Sequence, residues 1–253
     1  MERSLVVSGV TCVFGLGQQT NINNHPSIVQ IEDRVGTLWL QQGVASVLTN
    51  FHLLTAHYCL CLSKNSQRIR GRAGTSTRGS GGIVSEVAAV IIHEDYGSMD
   101  HVADVAIIRL VNALPLGSSI AQAQILGPGI ELPVNLQLTL ASWGTTTKGQ
   151  ERSSLIGDSN LYSLDLYVVS NDQCTEAYLT GDNSRVVTDT MLCAGRTFTS
   201  GRDFDSRDVG APLFYQGVTV GVLSFGVSRG GDQYPLVSTH VGSYTNWILE
   251  NAQ

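Results

Sequence analysis

The chain has 253 residues, of which 42% are hydrophobic and 14% charged, and its formal net charge is -6. This length and apolar content support one large all-β unit or two small units with a shared core. The 15 basic residues are scattered, and no stretch reaches the roughly 18 apolar residues of a membrane span. We therefore expect neither nucleic acid nor a membrane as a partner.

The first 17 residues allow two interpretations. Met1, Glu2 and Arg3 precede an apolar stretch, residues 5–16, that Ser8 and Gly9 interrupt. A charged start followed by apolar residues is typical of a secretory signal segment, but this stretch is short and only weakly apolar. An N-terminal strand of the mature domain fits equally well.

Short apolar runs rich in Val, Ile and Leu recur along the chain, separated by clusters of Gly, Asn, Asp and Ser. This pattern predicts β-strands joined by tight turns, and therefore a barrel or a sandwich. Residues 70–82 are rich in glycine and polar residues and predict a loop. The predicted strands are residues 46–48, 53–56, 83–92, 105–110, 136–142, 164–169 and 218–225.

Two segments have the pattern of helices instead. Residues 170–179 begin with Ser170, a good N-cap, and residues 241–252 place Val241, Tyr244 and Ile248 at helical spacing. Since there is no linker-like segment and no internal repeat, residues 1–253 are expected to form a single domain. Its halves would be residues 14–120 and 121–240, followed by the C-terminal helix 241–252.

The five cysteines bear on compartment and on metal binding. They are Cys12, Cys59, Cys61, Cys174 and Cys193. Only Cys59 and Cys61 lie close in sequence, and this spacing is a weak zinc signal, so we expect no metal and no cofactor. The odd number favours a secreted protein that has lost some disulfides over a reduced cytosolic protein with buried thiols.

Four segments in this order carry a family resemblance. Residues 53–59 read LLTAHYC, residues 104–107 DVAI, residues 191–195 MLCAG and residues 208–213 DVGAPL. Together they resemble the trypsin-like serine proteases, most of all insect digestive trypsins, which read LTAAHC, DIAL, MLCAG and GDSGGPL. The resemblance covers nearly the whole chain. It implies an all-β fold, a double six-stranded antiparallel β-barrel with a C-terminal α-helix.

The resemblance also shows where the catalytic residues would be. That mechanism needs a buried carboxylate, an imidazole base and a serine nucleophile. Asp104 matches the carboxylate, but Tyr58 stands at the histidine position and Val209 at the serine position. Tyrosine is a poor proton acceptor at neutral pH, and valine has no lone pair. His57 and Ser206 lie nearby, and with Asp104 they form the alternative of a residual or atypical endopeptidase.

Two further positions concern activation and the oxyanion. Arg207 replaces a glycine at the oxyanion position, where a side chain disfavours the geometry that turns the backbone N–H inward. Asp208 matches the aspartate that pairs with the new N-terminus after cleavage, but Val13 stands where the basic cleavage residue would be. The resemblance therefore implies altered, zymogen-like loops in which Asp208 finds another donor.

The specificity pocket is implied by four positions. Asp203 matches the aspartate at the base of the trypsin pocket, while Leu236 stands where trypsins keep a glycine. We expect Leu236 to fill the pocket and Asp203 to pair with a nearby arginine. Ser224 and Gly226 match the strand along which trypsins pair substrate backbone.

The resemblance implies one disulfide, between Cys174 and Cys193. Gly43 replaces the family partner of Cys59, so the pairing of Cys12, Cys59 and Cys61 stays open, although a bond between Cys59 and Cys61 would be strained. Losing a native bridge costs about 2 to 5 kcal/mol. The resemblance implies that the family's pocket disulfide is also missing, with Asp205 and about Arg229 at its two ends, so rigid walls around the pocket are no longer expected.

These observations lead to a functional expectation. We expect a secreted serine protease homolog that is not an enzyme and that binds another protein, such as a protease, an inhibitor or an immune component, as a decoy, cofactor or regulator. The alternatives are the atypical endopeptidase and a storage or structural protein. Nothing in the sequence indicates the oligomeric state.

Overall fold

The computed structural model describes residues 17–61, 68–97, 101–144, 159–179, 185–195, 206–226 and 234–253, with residue 206 described by its backbone alone. The strands are β1 (Gln18–Gln19), β2 (Ile28–Val35), β3 (Leu38–Val47), β4 (His52–Thr55), β5 (Ile69–Ala73), β6 (Ile83–Ile92), β7 (Ala106–Leu110), β8 (Gln124–Ile125), β9 (Gln137–Ser142), β10 (Tyr162–Val169), β11 (Met191–Gly195), β12 (Pro212–Tyr215), β13 (Val218–Phe225) and β14 (Leu236–His240), and the helices are α1 (Asn171–Leu179) and α2 (Val241–Asn251).

The strands form two antiparallel barrels. In the first, the order β2-β3-β4-β7-β6-β5 closes on itself. In the second, the path β10-β11-β14-β13-β12-β9 closes through pairing of β9 with β10, while β1 pairs with β10 and β8 runs parallel to β13. The predicted double barrel with a C-terminal helix is confirmed.

Period-two patterning explains why these segments are strands. In β9, Leu138 and Leu140 are buried, whereas Gln137 is exposed and Thr139 is half-buried, and one core cluster runs through both barrels. Buried apolar faces of the two closed sheets therefore pack into a continuous interior. Six of the seven predicted strands match strands of the structure to within two residues at each end, while the predicted strand 46–48 covers only the end of β3, which begins at Leu38.

The predicted loop at residues 70–82 is partly wrong, because it begins with strand β5. Ile69, Gly71 and Ala73 face the core. Arg70 and Arg72, which made the segment look polar, donate from Nε to the fully buried carboxylate of Glu32 at 2.6 and 2.7 Å. An arginine that pairs with a buried carboxylate can lie in a strand of the barrel. The sequence alone does not show that Glu32 is the carboxylate that pairs with Arg70 and Arg72.

Both predicted helices are confirmed. The hydroxyl of Ser170 accepts the Gln173 amide at 3.3 Å, as an N-cap does. The disulfide between Cys174 and Cys193 ties α1 to β11 and closes a loop with a sequence separation of 19. In the described part of the chain, neither helix has the length and apolarity needed to cross a bilayer.

The barrels meet at the candidate site. The amide of Val44 in β3 donates to the carbonyl of Val209 at 2.9 Å. The hydroxyl of Thr239 in β14 donates to the carbonyl of Asp104 at 2.7 Å. Hydrogen bonds across the interface thus fix how the two halves of the site face each other.

Candidate active site

Asp104 lies at the centre of the candidate site, just before β7. Its carboxylate is fully buried, and it accepts hydrogen bonds from the Tyr58 amide at 2.8 Å and from the Ser224 hydroxyl at 2.5 Å. Because Tyr58 belongs to the first barrel and Ser224 to the second, one carboxylate joins the two walls of the cleft. The two donors satisfy both oxygens of this buried carboxylate.

Tyr58 contributes its backbone and not its ring to this arrangement. It lies in a 3-10 turn, His57–Leu60, that follows β4, and its side chain is 45% exposed. The ring meets His101 edge-on at 4.9 Å. The residue at the family's histidine position therefore keeps the amide contact to Asp104 and offers no imidazole.

His57 lies one residue earlier and packs elsewhere. Its ring is half-buried and meets Tyr96 edge-on at 4.3 Å. Burial lowers the pKa of His57, and the charge of Asp104 opposes that shift. Among the described residues, no group forms a hydrogen bond with the buried His57 Nδ1. His57 is thus a neutral imidazole at pH 7, and its ring packs against Tyr96.

His101 is the imidazole nearest Asp104, and our sequence analysis assigned it no role. Its Nδ1 lies 3.7 Å from Asp104 Oδ2. The ring packs between Tyr58 and Phe225, with centroids 4.9 Å from each. The only sequence signal was a histidine three residues before the aspartate, a spacing that has no fixed meaning outside a helix.

Val209 is 1% exposed, and its carbonyl faces the first barrel, where Val44 donates to it. A valine side chain provides no group for covalent chemistry at this position. Ser206 opens the 3-10 turn Ser206–Asp208, but its side chain lies outside the described residues. Its role as a displaced nucleophile therefore stays a prediction.

Asp208 is buried and accepts a hydrogen bond from the Ser142 hydroxyl at the end of β9. A Cβ on Gly144 would overlap the Asp208 carboxylate, so the second barrel's end closes tightly over this side chain. The carbonyl of Arg207 accepts from Gln41 Nε2 at 3.1 Å. Arg207 is thus linked to β3, and its effect on the oxyanion position stays a prediction.

The predicted pocket is described only in part. Ser224 is buried, Gly226 and Leu236 are half-buried, and Leu236 pairs with Ala194 across β11. Asp203 lies outside the described residues. Filling of the pocket by Leu236 therefore stays a prediction.

The cysteines near the site are thiols in the described part of the chain. Cys59 is buried, and its Sγ contacts Thr55 Oγ1 at 3.2 Å and the Ala56 carbonyl at 3.1 Å. Burial raises the pKa of Cys59 to about 12. Cys61 is a free, exposed thiol, so the Cys59–Cys61 alternative is absent, and Cys12 lies outside the described residues.

Gly43 stands where the family has the disulfide partner of Cys59, and the two residues lie close together. A Cβ on Gly43 would lie 2.6 Å from Cys59 Cβ, so glycine is accommodated where the family has its second cysteine.

Across the described ranges, no group of three or more His, Cys, Asp and Glu side chains could hold a metal ion.

The family model for trypsin matches residues 15–248. The chain belongs to the trypsin family. It is 32% identical to "Trypsin, alkaline C" of Manduca sexta over 237 residues, which cover 93% of this chain and 90% of the relative.

Solved structures agree with this assignment to the trypsin family. Neuropsin, a serine protease expressed in the limbic system of mouse brain, is 26% identical with a TM-score of 0.77, covering 94% of this chain and 99% of its own. The scabies mite inactivated protease paralogue S-D1 is 21% identical with a TM-score of 0.78, covering 92% and 95%, and shows the fold alone.

These relatives correct one prediction. The expectation that the chain is not an enzyme is wrong by this comparison, since the matching family and the Manduca relative are named for trypsin, a serine endopeptidase. Hydrolysis by this chain has to proceed without a hydroxyl at residue 209, because valine has none. The arrangement around Asp104 provides a buried carboxylate, the imidazoles of His57 and His101, and a cleft between two barrels.

Proposed function

We propose that this trypsin-family chain binds an extended segment of another protein in the cleft beside Asp104, in an extracellular setting. The observation that carries the proposal is the end of β13. Its pairing with β12 ends at Val222, and the backbone of Leu223 forms hydrogen bonds with the backbone of Gly210 and Ala211 just before β12. Ser224 and Phe225 therefore extend past the neighbouring strand. A strand that outruns its neighbour can accept an added strand.

The walls of the cleft support binding of a polypeptide. Phe225 pairs with Val237 on its other side and packs its ring against Tyr178 at 5.6 Å and His101 at 4.9 Å. The guanidinium of Arg185 lies 5.6 Å from the Phe225 ring. Because these aromatic side chains are buried, they hold the backbone at the end of β13 in place, so little conformational entropy is lost when a segment binds. The Cys174–Cys193 disulfide fits the extracellular setting.

Hydrogen exchange tests this proposal with β-casein, an unfolded protein, as the probe. Binding is expected to slow exchange of the amides at residues 224–226 and to leave the β2–β3 turn, residues 36–37, unchanged. Unchanged exchange at 224–226 at saturating β-casein, or protection confined to 36–37, would contradict the proposal.

Hydrolysis of the bound segment is a second candidate function, favoured by the relatives and by the neutral His57 imidazole whose pKa burial lowers. As a hypothesis, Ser206 in the turn before Val209 would be the nucleophile. A fluorophosphonate probe is then expected to add its mass to the wild-type chain and not to Ser206→Ala. Absence of labelling under conditions that label trypsin completely would rule this candidate out.

A further inference from the structure

His101 is held in an unusual backbone conformation. Its φ is 56° and that of Ala103 is 52°, both in the left-handed region that residues other than glycine rarely adopt. Such conformations are strained and persist only where the surrounding structure holds them. The short segment before Asp104 therefore contains backbone strain that something must offset.

The strained segment places the His101 ring against Asp104. The side chain is 7% exposed, its Nδ1 lies 3.7 Å from Asp104 Oδ2, and its ring is enclosed by Tyr58 and Phe225. An edge-on contact with Tyr58 and a tilted contact with Phe225 restrict the orientation of the imidazole. At 3.7 Å the two atoms are farther apart than in a hydrogen bond, so an N–H on Nδ1 would interact with the carboxylate electrostatically.

The other contacts of Asp104 explain why this placement matters. In the trypsin mechanism an imidazole uses its Nδ1 to face the buried carboxylate. Here the residue at that position is Tyr58, which retains only the backbone hydrogen bond, and Ser224 provides the contact from the second barrel. His101 Nδ1 lies nearest Oδ2, the oxygen that also accepts from Ser224, while the Tyr58 amide donates to Oδ1.

We propose that His101 is the imidazole partner of Asp104 in this chain, with its Nδ1–H directed at the carboxylate in place of the ring missing at residue 58. It acts as a positioning residue. By completing the donors around Asp104, it holds the Tyr58 turn and the end of β13 together as the two walls of the cleft. The pairing of His101 with Asp104 does not depend on the proposed function, whereas the effect of His101 on polypeptide binding in the cleft rests on it.

Nitrogen NMR of the ¹⁵N-labelled wild-type chain tests the pairing without any ligand. The His101 ring is expected to carry a proton on Nδ1 at pH 7.5, assigned by loss of its signals in His101→Asn. A ring protonated on Nε2 alone would overturn the proposal.

Two matched variants test the positioning role. Asparagine and glycine both tolerate positive φ, but only asparagine has an N–H that can replace Nδ1. The Tyr58 amide, which donates to Asp104, is expected to exchange about tenfold faster in His101→Gly, since that variant removes the ring that packs against both Tyr58 and Phe225 beside the carboxylate. In His101→Asn its exchange rate should stay within about threefold of wild type. Equal rates in the two variants would overturn the role.

Protection of residues 224–226 by β-casein is read in the same variants. With the wild type protected, the proposal expects the protection to be lost in His101→Gly and kept in His101→Asn. Full protection in both variants would overturn the link between His101 and the cleft. If wild type itself shows no protection, the proposed function fails, while the tautomer and the Tyr58 amide still decide the pairing.

Discussion

The Ser142 hydroxyl donates a hydrogen bond to the buried carboxylate of Asp208, and so joins the end of β9 to the turn before β12. This contact gives Asp208 a neutral donor from the second barrel. The carboxylate lies so close to Gly144 that no side chain fits between them. The residues next to Val209 are thus tightly packed around the buried carboxylate of Asp208.

Gly144→Ala is expected to lower the free energy of unfolding by about 2 kcal/mol, because the added methyl group must displace the Asp208 carboxylate. Urea unfolding measures this. Gly117→Ala is the control, since a Cβ there meets nothing within 4 Å, and its effect should stay within about 0.5 kcal/mol. Equal stability of the two variants would show that Asp208 moves aside freely.

Glu32→Gln is expected to cost about 3 kcal/mol of stability, because it leaves Arg70 and Arg72 without their buried counter-charge. Chemical denaturation compares it with Arg68→Gln. Arg68 is 49% exposed and lies 3.6 Å from Asp33, so its removal should cost less than about 1 kcal/mol. A loss in Glu32→Gln no larger than in the control would contradict the role of this cluster in closing the first barrel.

Replacing both Cys174 and Cys193 by serine is expected to destabilise the chain by about 3 kcal/mol, the chain-entropy value for a loop of this length. Thermal and urea unfolding of the double variant measure it. Cys61→Ser, at an exposed free thiol, should stay within about 0.5 kcal/mol of wild type. A double variant as stable as wild type would mean that the bridge constrains nothing.

His240 makes stability depend on pH. The side chain is buried, and burial lowers its pKa, which Glu131 partly opposes. The unfolded chain, with a histidine pKa of about 6.5, then takes up the proton first as the pH falls. The contribution of His240 to the free energy of unfolding is therefore fully present above about pH 6.5. It decreases as the pH falls below this value, until the folded-state pKa of His240 is passed.

His240→Asn tests this, because asparagine is also a good N-cap for α2. Urea unfolding at pH 7.5, 6.5 and 5.5 should show a smaller loss of stability on acidification than in wild type. The same loss in both proteins would exclude His240 as a source of the pH dependence.

Several features of the fold could be predicted because they depend on local backbone register. Alternating apolar residues identified β13 and the Ser170 cap identified α1, while the Cys174–Cys193 disulfide followed from the family resemblance. The register from Thr55 to Cys59 likewise placed Tyr58 at the family's histidine position. Prediction failed at β5, because the partner of Arg70 and Arg72 is Glu32, about forty residues earlier in the chain.

The sequence by itself determined which residue types stand at the family positions, including Tyr58, Asp104 and Val209. Only the tertiary structure decided that His101 faces Asp104 and that Ser142 donates to Asp208. The physical reason is that spacing in sequence sets backbone positions along a strand or turn. The direction of a side chain depends on φ at its own residue, and its partners depend on how two closed barrels meet.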